Sequence, residues 1–215
     1  MVFDCQGILF DLDGVLVDST QAVERVWLAW AREHHLDPAL VIAHAHGRRT
    51  IETVRLVAPH LDAEREDAKV EALEIADGEG VVGIAGAAAL LAALPTDRWL
   101  IVTSASEALA RARMAYAALA MPAKFVTADQ VAEGKPDPEP YLKGAKRLGF
   151  PPKECVVFED TAAGIQSAKA AGAKVVGLTT TYPASELSGA DVILQDLSGI
   201  NAQVKKRRLQ LTLPA

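Results

Sequence analysis

Gly7-Ile8-Leu9-Phe10-Asp11-Leu12-Asp13-Gly14-Val15-Leu16-Val17-Asp18-Ser19 is the stretch from which the rest of the chain can be read. Gly7–Phe10 is a short apolar run, the pattern of a strand covered on both faces. It ends in two carboxylates. Asp11 and Asp13 lie two apart on extended chain, so their side chains lean to the same side. Gly14 then allows the chain to turn sharply away. Five more apolar runs occur, at Trp99–Val102, Phe125–Thr127, Cys155–Phe158, Lys174–Leu178 and Val192–Leu194. Helical patterns separate them. One runs from about Ser106 to Leu119. A second opens at Asp137-Pro138, with Asp as N-cap and Pro at the first helical position, and stops before Gly149. A third begins after Asp160 and stops at Gly172. This alternation predicts βα units on a parallel sheet, an α/β fold.

One region breaks the alternation. From about Ser19 to Gly80 there is only helical periodicity. Val23, Val26, Trp27 and Trp30 recur at i, i+3, i+4 and i+7. Ile51, Val54 and Ala58 mark a second helix that Pro59 terminates, and an acidic start at Asp62 opens a third that runs to about Ala76. The expected organisation is therefore residues 1–17 as the first strand and its loop, 18–80 as an all-helical cap insert, 81–200 as the remaining core, and 201–215 as a tail. Val17-Asp18-Ser19 and Gly78-Glu79-Gly80 are the expected hinges. Asp18, with Gln21 three residues on, reads as a helix N-cap. Trp27 and Trp30 read as packing inside the insert. His34 and His35 read as surface groups without the partners a zinc site needs.

Composition narrows the function classes. Of the 215 residues half are hydrophobic and 23% charged, which suits a globular protein and excludes a disordered one. No stretch reaches the roughly 18 apolar residues of a membrane helix, and no basic leader precedes an apolar run. Cys5 and Cys155 lie far apart in apolar runs and read as reduced core thiols, which points to the cytoplasm. The net charge of −6 carries no nucleic-acid footprint. The basic run Lys205-Lys206-Arg207-Arg208 reads as part of a solvated tail. Neither nucleic acid nor membrane is an expected partner, and a monomer is favoured.

The residues just past each strand are more telling. Asp11-Leu12-Asp13-Gly14 comes after the first, Thr103-Ser104 after the second, a Gly-bearing loop with Lys135 after the third, and Glu159-Asp160 after the fourth. In a parallel sheet these points share the carboxyl edge, where open α/β sheets bind ligands. Four carboxylates in one place repel unless a cation sits among them. An all-oxygen set without Cys or His suits a hard ion, Mg2+ first. Lys135 and the hydroxyls of Thr103 and Ser104 supply the charge and donors a phosphoryl group needs. Ser104-Ala105-Ser106-Glu107 is also a capping-box pattern, compatible with that role.

The four segments resemble, in order, the signatures of the haloacid-dehalogenase superfamily of phosphatases: Asp11 to Ser19, Thr103 to Ser106, Gly134-Lys135-Pro136-Asp137-Pro138, and Phe158 to Ile165. The helical insert is similar to the C1-type cap of that family, and His46-Gly47-Arg48-Arg49-Thr50 resembles a segment of its glycerol-3-phosphatase and 2-deoxyglucose-6-phosphatase group. The resemblance implies a Rossmann-like core and hydrolysis of small sugar or polyol phosphates. It makes Asp11 the nucleophile and Asp13 the acid and base. It assigns Mg2+ to Asp11, the Asp13 carbonyl and Asp160, with Glu159 acting through a water. Lys135 and Ser104, or Thr103 in its place, would hold the phosphoryl oxygens, and His46 and Arg49 of the cap would contact substrate. A sugar-phosphate mutase on the same scaffold is the nearest alternative. A non-catalytic sugar-phosphate-binding protein or phospho-switch is the alternative of another class.

Overall fold

The computed structural model, which describes residues 1–214, opens with two consecutive strands, β1 (Val2–Cys5) and β2 (Gly7–Phe10). The core then uses β5 (Trp99–Val102), β6 (Phe125–Val126), β7 (Cys155–Glu159), β8 (Lys174–Leu178) and β9 (Val192–Leu194). With β2 they form a six-stranded sheet in the order β6-β5-β2-β7-β8-β9, every pairing parallel. The continuous apolar runs have the expected cause, since β2, β5 and β7 are buried at every position. Ile8 and Phe10 face one core cluster and Leu9 the other. Phe10 stacks on Phe158 with ring centroids 5.1 Å apart. Full burial of each such side chain contributes about 1.5–3 kcal/mol. Phe10 lies in register with Ile101 on one side and Phe158 on the other, so the segments after β2, β5 and β7 leave the sheet side by side.

Helices α5 (Ala87–Ala93), α6 (Glu107–Tyr116), α7 (Glu139–Leu148) and α8 (Ala162–Ala170) complete the core. Helix α6 starts where expected but with a different cap, and the start of α7 differs. The N-cap of α6 is Ser106, whose Oγ accepts from the Leu109 N–H, so Ser104 is left out of the cap. Helix α7 begins one residue late, with Pro138 at the N-cap position, and Asp137 just before it accepts from the Glu139 N–H at 2.8 Å.

The insert contains four helices rather than three: α1 (Thr20–Glu33), α2 (Pro38–Ala45), α3 (Thr50–Val57) and α4 (Ala63–Ala76). They enclose a core of their own that includes Val23, Trp27, Trp30, Val41, Val54 and Val70. Trp27 meets Trp30 edge-on at 5.3 Å. The Trp30 indole N–H donates to Glu66 at 2.9 Å, and His34 meets the same carboxylate oxygen at 3.0 Å. His34 is therefore a half-buried partner of Glu66 and not a surface group. Ser19, not Asp18, occupies the N-cap position of α1, and Asp18 accepts from the Thr20 N–H.

The two connections to the insert are paired. Strand β3 (Val17–Asp18) runs antiparallel to β4 (Val82–Gly83), with Val17 opposite Gly83 and Asp18 opposite Val82. The solvated-tail reading of residues 201–215 is corrected for all that is described of it. Strands β10 (Asn201–Lys205) and β11 (Arg208–Thr212) form a hairpin that pairs with β1 in a second, antiparallel sheet. Leu209 and Leu211 are buried there, and Lys206 and Arg207 form the turn with φ of 47° and 68°. Cys5 and Cys155 are free and buried, and burial pushes both thiols up to about 12. Among the described residues no helix is long and apolar enough to cross a membrane.

Candidate active site

The segments after β2, β6 and β7 meet in a buried charge cluster. Lys135 Nζ donates to Asp11 Oδ1 at 2.7 Å and to Glu159 Oε1 at 2.6 Å. The Tyr141 hydroxyl donates to the same Glu159 oxygen at 2.8 Å. Glu159 Oε2 accepts from the Asp160 N–H, the Thr161 N–H and the Thr161 hydroxyl at 3.0, 3.1 and 3.1 Å. A carboxylate has about four lone-pair positions, so Glu159 is fully used by the protein. Its expected part, through a metal-bound water, gives way to another: it anchors Lys135 and the loop that carries Asp160. Gly164 permits this, because a Cβ there would fall 1.7 Å from Glu159 Oε1.

Asp160 is buried, and its Oδ1 has no hydrogen-bond partner. Oxygens of Asp11, Glu159 and Asp160 all lie within 4.8 Å of one another. Burial raises Asp11 to about 7; the Glu159 charge adds to this and Lys135 opposes it. Burial, then Glu159 and Asp11, push Asp160 well above the usual carboxylate range. Burial works against the Lys135 charge, but Asp11 and Glu159 outweigh it and raise its pKa. The charge of three carboxylates exceeds that of one ammonium, and the orphaned Asp160 oxygen lies beside Asp11; oxygen donors from these two, with Glu159 adding charge, fit a hard divalent cation such as Mg2+. Gly14 makes the close approach possible: its φ is +74°, and a Cβ would stand 1.9 Å from Asp160 Oδ2.

Asp13 stands apart from this cluster. Ser19 Oγ donates to its Oδ1 at 2.6 Å and Arg113 Nη1 to its Oδ2 at 2.5 Å. Arg113, on α6, also reaches Glu74 Oε1 of α4 at 3.2 Å. Burial raises Glu74 to about 7, against the pull of Arg113. Asp11, Asp13, Thr103 and Ser104 line one cavity of about 50 Å³, closed on the cap side by residues that include His46 and Arg48. Thr103 Oγ1 accepts from the Ala105 N–H at 3.0 Å, while Ser104 Oγ donates to the Gly47 carbonyl of the cap at 3.2 Å.

The two expected cap residues part company. His46 faces the cavity, edge-on to Tyr182 at 6.4 Å, and burial lowers its pKa. Arg49 does not face it. Its Nε donates to Glu52 at 2.6 Å and its Nη1 to the Ala132 carbonyl at 3.1 Å. It borders a separate cavity of about 150 Å³ beside Asp67, Glu71 and Asp129. Arg48, one residue before it, borders the cavity instead. Sequence reasoning also misses Arg113, Glu74, Ser19 and Tyr141. One signal for Arg113 is present: a charge between Ala110 and Met114 on the buried side of α6.

A family profile described as haloacid dehalogenase-like hydrolase matches residues 5–172. Hexitol phosphatase A of Escherichia coli (strain K12) is 44% identical over 201 residues, covering 91% of this chain and 93% of that protein. Glycerol-1-phosphate phosphohydrolase 2 of Saccharomyces cerevisiae is 36% identical, covering 91% and 86%. Among solved structures, a hydrolase from Pseudomonas syringae superposes with a TM-score of 0.81 at 26% identity, over 90% of this chain and 94% of that one. The profile match runs from β2 through the cap to α8 and takes in all four segments that follow the strands around Asp11, and the chain belongs to the haloacid dehalogenase-like hydrolase family.

Proposed function

We propose that the protein hydrolyses small sugar or polyol phosphate monoesters with Mg2+, through an aspartyl-phosphate on Asp11. The observation that carries this is the Lys135 ammonium held 2.7 Å from Asp11, beside the orphaned Asp160 oxygen. The 44% identity to a hexitol phosphatase supports a polyol ester as substrate.

Asp11 attacks phosphorus in line, and the bond to the sugar oxygen breaks as Asp13 protonates that oxygen. Asp13, now a base, takes a proton from a water that attacks the aspartyl-phosphate, which frees inorganic phosphate and regenerates Asp11. Lys135 and the Ser104 hydroxyl steady the negative oxygens of the transferring group. Thr103 Oγ1 accepts from the Ala105 N–H and keeps its own hydrogen to donate, whereas Ser104 gives its hydrogen to the Gly47 carbonyl, so Thr103 can make the same contact. Asp11 and Asp160 would hold Mg2+, whose charge neutralises the phosphoryl oxygens during transfer. His46 and Arg48 face the sugar from the cap and set specificity, because the core treats every phosphate alike. Cap residues His46 and Arg48 border the cavity over the core, so opening and closing of the cap would admit substrate and then shed water from the site. Two buried free thiols suit a reducing compartment such as the cytoplasm.

The test is release of inorganic phosphate across hexitol, glycerol and deoxyhexose phosphates with Mg2+. One phosphate per ester consumed is expected from at least one polyol phosphate. EDTA should abolish release and Mg2+ restore it. Conversion of a hexose phosphate without free phosphate would mean a mutase, and full activity in metal-stripped protein would remove the metal from the reaction.

A further inference from the structure

The mechanism asks Asp13 to stand opposite the leaving oxygen, and the core group that holds it there is itself braced from the cap. One donor to its carboxylate is Ser19, at the mouth of the cap connection. The other is Arg113, whose guanidinium forks between Asp13 and Glu74. Arg113 is buried, and Glu74 is buried on the cap helix α4. A guanidinium is planar and permanently charged, so two carboxylates bound to its two amino groups are fixed in mutual position. All three side chains border the cavity over Asp11.

We propose that Arg113 is the positioning residue for Asp13, and that Glu74 of the cap completes this support only when the cap is docked. Leaving-group protonation is thereby tied to closure, while attack by Asp11 is not, because the Lys135, Glu159 and Tyr141 contacts that frame Asp11 all come from the core. The inference rests on the phosphatase reading of the site.

The distinguishing experiment compares two esters. A polyol phosphate releases an alkoxide and needs a proton from Asp13; p-nitrophenyl phosphate releases a stable phenolate and needs little help. The ratio of their kcat/KM values reports the step up to loss of the leaving group, so hydrolysis of the aspartyl-phosphate does not enter. For Arg113→Met, kcat/KM on the polyol phosphate should fall about 100-fold, the lower range of general-acid effects, and on the aryl phosphate under about 5-fold. Arg113→Lys should recover part of the loss. Glu74→Gln should fall about 10-fold on the polyol ester with the same selectivity, and it provides the test if Arg113→Met does not fold. Equal losses on both esters, or no loss on either, would overturn the positioning role while leaving the phosphatase reading intact. A wild type that released phosphate from neither ester would overturn both.

Discussion

Two regions contribute to the cavity, and they are built differently. At the sheet edge the charges around Asp11 are buried and bound to one another within the core: Lys135 is 2% exposed, Asp11 4% and Glu159 0%. Across the seam with the cap the contacts are sparser and range from buried to exposed. They include Arg113 with Glu74, Ser106 Oγ with Glu71 Oε1 at 2.5 Å, Ser104 with the Gly47 carbonyl, Arg49 with the Ala132 carbonyl, and the Tyr116 hydroxyl with the Ile75 carbonyl. Hydrogen bonds of this kind each contribute about 0.5–1.5 kcal/mol net, so a handful can open and reform within a catalytic cycle. The cap keeps its own apolar core around Trp27 and Trp30, which lets it move as a body without losing its fold. In the proposed reaction the contrast would separate labour: the sheet edge would hold the phosphorus chemistry in a fixed frame, and the seam would control access.

Replacing one atom of the fixed frame should have the largest effect. Asp11→Asn keeps the shape and should cut turnover by roughly 10⁴-fold or more, with an unchanged circular dichroism spectrum. Turnover near that of the wild type would end the nucleophile assignment. Lys135→Met comes next, as a test of whether the frame is one unit. It leaves Asp11 and Glu159 facing each other with no cation between them. Urea unfolding should show a loss of about 3–5 kcal/mol, the range for breaking a buried ion pair by removing one partner. A loss below about 1 kcal/mol, the scale of an exposed pair, would mean that the cluster is not held together as described. The seam should give the smallest change. Glu71→Ala removes one bond to Ser106 and should cost about 1 kcal/mol. Hydrogen exchange should then quicken in α4 and in the first turn of α6, with the sheet unaffected. Equal quickening in β2 and β7 would show that cap and core do not separate independently.

The same contrast explains what is legible in the chain alone. Strands β2, β5, β6, β7 and β8 are legible because burial leaves nearly unbroken apolar runs, complete in β2, β5 and β6, and β9 is equally apolar though only half-buried. Strands β1 and β11 alternate buried with more exposed positions, and β10 carries Asn201, Gln203 and Lys205. Their pairing joins the first residues to the last, a relation that no local window contains. Helix α2 has its start signal, Asp37 before Pro38, but too few residues to show a period. The frame around Asp11 is legible because its residues each come after a strand and therefore must converge. The fork of Arg113 is not, because Asp13 and Glu74 belong to separate layers and become neighbours only when the cap docks. Arg49 and Arg48 differ by one position on a turn, and sequence does not say which of two adjacent arginines points inward.

The ladder between β3 and β4 has a mechanical consequence. An inserted body tied by two separate threads could tilt, slide or twist in many ways. Here the outgoing and returning threads are stitched to each other, so the insert hangs from one pin. Its swing reduces to rotation about that pin, and each return brings the same arginines and glutamates back to the same places.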